Sequence, residues 1–399
     1  MSQNHTYKTI IKDKQNVFYL RRRIKMEFII SKNELSKALS TVTSITSSRE
    51  INDVVSNVLI ETEDGSISIT ATDLERSLRD KVPANVIKQG SILLPGKKLA
   101  DLVKGFRYDT MKFLVEDSEK VIIQNGNEEQ EKKFKTNIEI MGKSAEEFPM
   151  PFQLNGLDFF SVNPVLFLEM FKKVLYAAAV DDARVVFNGI FVEYKNDLLH
   201  FVATDGRRLS LIKRIENNFL KNSSIIIPSR SVKEIQKLLS NASEMQIAHD
   251  EENHQIYIKT GDIYFTTKLI EGTFPDYNLV IPKDQPHKVE IYREDFIDAI
   301  KQAMVFAPDP NKQVQLHFKE GLLMVVSATP DLGKVEDGLE CNYSGTPIAI
   351  GFNSNYLLDV LESLTCDKVL MTFLSPDAPA MFFDPTDKEF LSIVMPMKI

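Results

Sequence analysis

Tryptophan is absent from this 399-residue chain, cysteine occurs twice and histidine six times. Two cysteines, Cys341 and Cys366, cannot build a disulfide framework; they read as reduced structural thiols of a cytoplasmic protein. There is no CxxC pair and no HExxH helix, and His249 and His254, five apart in a polar stretch, suit a solvated turn better than a zinc site. The GxSxG nucleophile elbow is missing as well. Pro95-Gly96-Lys97-Lys98 looks like the end of a phosphate loop, but Ser91 stands where the leading glycine belongs and Lys98 replaces the Ser/Thr that would hold magnesium. No apolar run approaches the length of a membrane span. Neither a familiar catalytic motif nor a cofactor is expected of such a chain.

What is present is repetition. Residues 66–73 read SISITATD, 198–205 read LLHFVATD and 322–329 read LLMVVSAT. The Ala-Thr pairs begin at Ala71, Ala203 and Ala328, so the unit recurs at intervals of about 130 residues, the size of an ordinary domain. After each comes a short apolar strand and an amphipathic segment. Leu99, Leu102, Val103 and Phe106 form one apolar stripe at helical spacing, Val232, Ile235, Leu238 and Leu239 a second, and Leu357, Val360, Leu361 and Leu364 a third. Each copy also opens with a strand and a helix. Ser31 and Glu34 fit a capping box for the first of these, and Asn163-Pro164 fits a cap followed by a first-turn proline. The expected fold is α+β: three repeated domains, each with two helices packed on antiparallel sheet. Proline-rich boundaries place them at 26–150, 151–286 and 287–399. Residues 1–25 lie outside the repeat. With seven Lys/Arg against one Asp and no secretory pattern, they read as a disordered extension or as the product of an upstream start codon, with a nucleic-acid-touching arm as the sharper alternative.

Asp73 and Asp205 occupy equivalent places in the first two copies. They admit two readings, a metal or acid/base pair of a DNA-acting enzyme, or aspartates that bond their own backbone to shape a turn; the turn is favoured because the third copy has Pro330 there. The basic residues are more telling. The chain carries a net charge of −8, yet Lys97, Lys98, Lys104 and Arg107 crowd one predicted helix, Lys172 and Lys173 another, and Arg230, Lys233 and Lys237 a third. Such segregation suits loose contact with phosphates without sequence readout. The second helix of copy three lacks it, with Asp359 and Glu362 in place of bases.

Phe187-Asn188-Gly189, Ala203-Thr204-Asp205-Gly206-Arg207-Arg208-Leu209, Phe274-Pro275-Asp276-Tyr277, Gly351-Phe352-Asn353 with Tyr356-Leu357-Leu358-Asp359-Val360-Leu361, and the terminal Val394-Met395-Pro396-Met397-Lys398-Ile399 succeed one another in order. Together they resemble the bacterial DNA polymerase III beta subunit family, the DNA sliding clamps, from Met26 to the end. The resemblance implies a non-catalytic homodimer closed head to tail into a ring around duplex DNA, tethering the replicative polymerase, the clamp loader and repair partners. It implies a partner-peptide groove at Phe187, Thr204, Gly206, Arg208, Leu209, Pro275, Val280, Tyr356, Pro379, Ile393 and Met395, with Phe187, Arg207 and Pro379 standing where leucine, histidine and serine are usual. It also implies DNA contacts at Arg49 and Lys312, with Asp181 replacing a DNA-contacting glutamine, and a dimer joint at Val305 and Phe306. Asn52-Asp53-Val54-Val55 departs from an apolar run found in relatives. A metal-dependent DNA enzyme using Asp73 and Asp205, and a scaffold that binds proteins only, are the competing readings.

Overall fold

The computed structural model describes residues 24–399 except 47–53, 217–223, 331–332 and the single positions 134, 150, 155, 309 and 311. Most of the N-terminal extension, Arg49 and Asn52-Asp53 therefore lie outside the described residues. The described chain falls into two compact units. One runs to Asp158 and takes in Ile247–Lys268; the other comprises Phe159–Gln246 and Leu269–Ile399.

In the first unit, Asn85–Lys88, Ile24–Ser31, Thr110–Glu116, Lys120–Asn125 and Ile138–Met141 form an antiparallel sheet in that order. A second antiparallel sheet runs Ser91–Pro95, Asn57–Glu63, Ser66–Thr72, Arg76–Pro83, Ile263–Lys268, Gln255–Thr260. Helices α1 (Lys32–Val42) and α2 (Gly96–Gly105) pack on each other, and α1 lies against the strand Arg76–Pro83. The helical stripe behaves as its spacing predicts: Leu99 and Val103 are fully buried, while Lys97, Lys98 and Lys104 face solvent.

One expectation needs correction here. Ser31 stands at the N-cap of α1, but its side chain makes no capping bond. The Lys32 amide donates instead to the Asp109 carbonyl at 2.8 Å, and Glu34 lies 3.7 Å from Lys37. A carbonyl supplied by tertiary structure takes the first end donor, one that a capping box does not serve. The Ala-Thr strand Ser66–Thr72 is buried at every position. Its polar face is roofed over: Arg79 Nε donates to Thr70 Oγ1 at 3.2 Å, its guanidinium lies 4.7 Å from the Phe152 ring, and Ser77 donates to Thr72 at 2.7 Å. These bonds offset the burial of the Thr70 and Thr72 hydroxyls, whereas the buried Ser66 hydroxyl has no partner among the described residues.

The second unit has an eight-stranded sheet in the order Ser224–Pro228, Gly189–Lys195, Leu198–Thr204, Arg208–Ile215, Asp387–Val394, Ala380–Asp384, Lys368–Phe373, His287–Tyr292. Its middle is the antiparallel pairing of Arg208–Ile212 with Phe390–Val394, where a strand of the second repeat meets one of the third. Gly333–Glu340, Leu322–Thr329, Gln313–Lys319 and Ile348–Asn353 make a further antiparallel sheet. Helices α3 (Pro164–Val174) and α4 (Ser229–Leu239) pair, as do α5 (Arg293–Met304) and α6 (Ser354–Ser363). The Asn163 cap does form, accepting from the Val165 and Leu166 amides at 3.0 and 3.3 Å, with Pro164 in the first turn. Both cysteines are free, and burial raises both thiols, Cys366 to about 11.

A charge cluster locks α3 to the sheet. Asp387 accepts from Lys173 at 3.0 Å and from Arg214 at 2.6 Å, and Arg214 also reaches Glu169 at 2.6 Å. Burial alone would raise the Asp387 carboxyl, but the hydrogen bonds from Arg214 and Lys173 outweigh it and hold the group below the usual range. Asp387→Asn should therefore destabilise the protein by about 2–3 kcal/mol at pH 7, read from urea unfolding, because two cations lose their shared anion. A carboxyl depressed in the fold contributes above the unfolded value of about 4 and loses that contribution as pH falls through its folded value; the variant should lack this acid-side slope. Asp80 has the opposite sign. Burial, then Asp262 and Glu34, push its carboxyl up to about 6, so its ionised form opposes folding above about pH 4 and most above pH 6. Asp80→Asn should stabilise by about 1–2 kcal/mol at pH 8 and by nothing measurable at pH 4.

Candidate functional site

The strand Leu198–Thr204 ends in a tight turn made by its own side chains. Thr204 Oγ1 accepts from the Gly206 amide at 3.0 Å and donates to the Arg208 carbonyl at 2.6 Å. Asp205 Oδ1 accepts from the Arg207 and Arg208 amides at 2.9 and 3.0 Å. Gly206 carries a φ of +83°, the left-handed region where glycine is unstrained. Arg208 reaches back to Asp205 at 3.1 Å, pairs with Asp359 on α6, and lies 4.3 Å from the Tyr356 ring.

Around Asp73, in the first unit, the same turn is built atom for atom. Thr72 Oγ1 accepts from the Leu74 amide and donates to the Arg76 carbonyl, both at 3.0 Å. Asp73 Oδ1 accepts from the Glu75 and Arg76 amides at 3.0 and 2.7 Å, and Arg76 pairs with Asp73 at 2.6 Å. Both aspartates are thus engaged in shaping turns. Among the described residues no group of three His, Cys, Asp or Glu is placed to hold a metal. Geometry favours the turn reading over the metal one.

The strands that leave the two turns differ. In the first unit Ser77 stands opposite Thr266, and in the second Leu209 stands opposite Ile393. Only the second pair is apolar. Leu209, Ile393, Phe187, Phe274, Tyr277 and Met381 belong to one buried cluster, and above it opens a pocket of about 520 Å³. Phe187, Thr204, Gly206, Arg208, Leu209, Pro275, Val280, Pro379, Ile393 and Met395 line it. Tyr356, the remaining sequence candidate, is not in the lining; it sits beneath the Arg208 guanidinium. The lining also includes Arg207, noted in the sequence as a departure at the groove, and residues that sequence reasoning did not place there: Phe274, Asp276, Tyr277, Leu279, Ile281 and Pro282. Their signal was contiguity, since Phe274-Pro275-Asp276-Tyr277 and the run Leu279-Val280-Ile281 flank positions already chosen. Leu279 and Val280 are 82% and 54% exposed, a costly way to leave two aliphatic side chains unless something covers them.

Two supports hold the walls. Arg184 donates to Asp182 through Nε and Nη2, both at 3.0 Å, and to the Asp205 carbonyl at 3.1 Å, with its guanidinium 4.4 Å from the Phe187 ring. A Cβ at Gly206 would meet this guanidinium at 2.8 Å, so Gly206 serves both the turn and the close packing of Arg184. On the other side, the Tyr277 hydroxyl lies 2.8 Å from His200 Nδ1 and donates to Glu193 at 3.1 Å. Burial, reinforced by Glu193, drives the Tyr277 hydroxyl upward, and burial lowers His200. The neutral pair anchors the aromatic wall.

Three family models match the chain in succession: the DNA polymerase III beta subunit N-terminal domain over residues 26–152, its central domain over 161–276 and its C-terminal domain over 278–398. The chain belongs to the bacterial DNA polymerase III beta subunit family. The beta sliding clamp of Haemophilus influenzae is 29% identical over 378 residues, covering 94% of this chain and all of the relative; that of Escherichia coli K12 is 26% identical over the same coverage. The crystal structure of the Pseudomonas aeruginosa DNA polymerase III subunit beta superposes with a TM-score of 0.86 at 28% identity, and that of Thermotoga maritima with 0.83 at 27%, each over 94% of this chain and all of the other. The three-domain α+β clamp architecture is therefore that of this chain.

The basic residues assigned to DNA in this clamp chain divide. Lys97, Lys98, Lys104, Lys172 and Lys233 are exposed, as are Arg230 and Lys237, which pair with Asp181 at 3.2 Å and Glu234 at 2.8 Å. Lys173 is misassigned: it is 7% exposed, bound to Asp387 and 4.8 Å from the Phe390 ring, out of reach of phosphate. Its neighbour Lys172, one position back on α3, faces solvent. Lys312 is half-buried at a φ of +47° and Asp181 exposed at +54°. Val305, just past α5, is 71% exposed, and Phe306 is half-buried.

Leu209→Ser would give the second turn the residue of the first. The expected outcome is a loss of about 2–4 kcal/mol in unfolding free energy, from the lost apolar transfer and the cavity left beside Ile393, measured by chemical denaturation.

Proposed function

We propose that this chain is a DNA sliding clamp that acts without catalysis. Two copies join head to tail into a closed ring, duplex DNA passes through the hole, and polymerase, clamp loader and other partners dock by short apolar peptides in the pocket of the second unit. The domains of each copy are 26–150, 151–286 and 287–399, with 1–25 as an extension. The observation that carries the docking half is the pocket itself: an apolar floor, two exposed aliphatic residues on its rim and a few polar groups at its mouth, the composition expected where a peptide is held by its apolar side chains.

The exposed lysines on α2, α3 and α4, carried by a chain of net charge −8, support the DNA half. Such contacts go to phosphate, fall with salt and read no sequence. A ring needs no more, because topology keeps it on the duplex while weak contacts let it slide. Exposed Val305 supports a joint at the end of α5, where an unsatisfied aliphatic side chain and Phe306 have a reason to be covered. The enzyme alternative has no support in the two turn-forming aspartates. The protein-only scaffold accounts for the pocket but not for the segregated lysines.

After loading, the protein should be retained on nicked circular DNA and released when the circle is linearised. Equal retention on both would sink the ring. Sedimentation at micromolar concentration should show a dimer, and removal of Met395–Ile399 should weaken binding of an apolar clamp-binding peptide by at least about tenfold, since Met395 forms one wall and single buried anchors contribute about 1–3 kcal/mol or more.

A further inference from the structure

The cations assigned to phosphate are not equally available. On α2, Lys97, Lys98 and Lys104 are exposed and make no ion pair among the described residues; Asp101 shares the helix but pairs with none of them. On α4, two of the three cations are met by carboxylates of the same chain. Lys237 pairs with Glu234 one turn back at 2.8 Å, an ordinary helix-surface pair. Arg230 pairs with Asp181 at 3.2 Å, and that acid comes from outside the helix.

Its loop is built to present it. The Ala179 amide donates to the Phe187 carbonyl at 2.8 Å and closes the neck. Inside, the Asn188 side chain accepts from the Asp182 amide and donates to the Asp182 carbonyl, both at 2.9 Å. Asp181 stands next to this brace with a φ of +54°, in the left-handed region that aspartate tolerates better than most residues. The side chains of Asp181 and Arg230 are 77% and 75% exposed. The loop therefore sets a carboxylate against the guanidinium in open solvent, where burial gives no reason for the pair.

We propose that Asp181 is a built-in counter-charge that stands on Arg230 in the place of a phosphate and so sets how strongly the α4 face holds duplex DNA. This rests on the DNA reading above and adds a grading to it. Contact through α2 is open; contact through Arg230 is attenuated, because a phosphate must displace a carboxylate already there. An exposed ion pair is weak, so displacement is feasible. A guanidinium already neutralised, however, adds less to the counterion release that drives phosphate binding. The displaced carboxylate also stays within a Debye length, about 10 Å at 0.1 M salt, and opposes the phosphate that replaced it. Such a device loosens one face of a protein that has to slide.

The test uses the full-length protein and a short labelled linear duplex, with affinity read by fluorescence anisotropy over a range of salt. Asparagine shares aspartate's tolerance of the left-handed backbone, so Asp181→Asn removes the charge and keeps the loop. It should bind about two- to fivefold more tightly than the parent at low salt, and the slope of log affinity against log salt should steepen by up to about one, for one further phosphate neutralised. Arg230→Gln should change the parent by less than about twofold, yet remove the whole gain when combined with Asp181→Asn. Lys97→Gln, on the open helix, should cost the parent more than Arg230→Gln does. Asp181→Asn binding as the parent does at every salt, a gain that survives Arg230→Gln, or equal costs for Arg230→Gln and Lys97→Gln in the parent each overturn the proposal. Failure of the parent and of every variant to bind the duplex at low salt would instead overturn the DNA reading on which it stands.

Discussion

One strand pairing carries the second unit. Arg208–Ile212 lies antiparallel to Phe390–Val394, and the candidate pocket is arranged about that seam. Leu209 and Ile393 face each other across it and supply the pocket floor. The Met395 amide extends the ladder to the Arg207 carbonyl, and the Ser392 hydroxyl bonds to the Leu209 carbonyl. Beneath it Lys173, Arg214 and Asp387 form a partly buried ion cluster. Main-chain bonds, apolar contact and charge pairing meet on the same few residues. A disturbance there reaches the fold and the pocket together.

The first unit is a natural control. Its turn at Thr72–Arg76 repeats the second, and the strand beyond is paired in the same way, with Lys268 donating to the Glu75 carbonyl as Met395 does to Arg207. Yet Leu74 holds a φ of +73° where the second copy has glycine, and Ser77 and Thr266 replace the apolar pair. The backbone frame is therefore common to both copies, and the apolar floor distinguishes the second.

How much of this was readable beforehand depends on the range of the interaction. The helices and Ala-Thr strands come from apolar spacing over a few residues, and the turn chemistry of Asp73 and Asp205 comes from contacts within three residues. The seam does not, because its partners lie about 180 residues apart and no local pattern links them. Lys173 shows the same limit on a smaller scale: its helix reads correctly, but which of two adjacent lysines turns inward is set by Asp387, far along the chain. At Ser31 the local box does not form, and the one end donor seen to be satisfied there, the Lys32 amide, finds a carbonyl far along the chain. The pocket positions came from family resemblance, and the added lining residues became visible only when the strands were in place.

The seam also orders the events of synthesis. The turn at Thr204–Arg208 emerges about 180 residues before the strand Asp387–Val394 that pairs beside it, so Leu209 has no Ile393 opposite it until that strand is made. The pocket floor is therefore a late structure: a chain that lacks Asp387–Val394 has the turn, with its full set of local hydrogen bonds, and no floor.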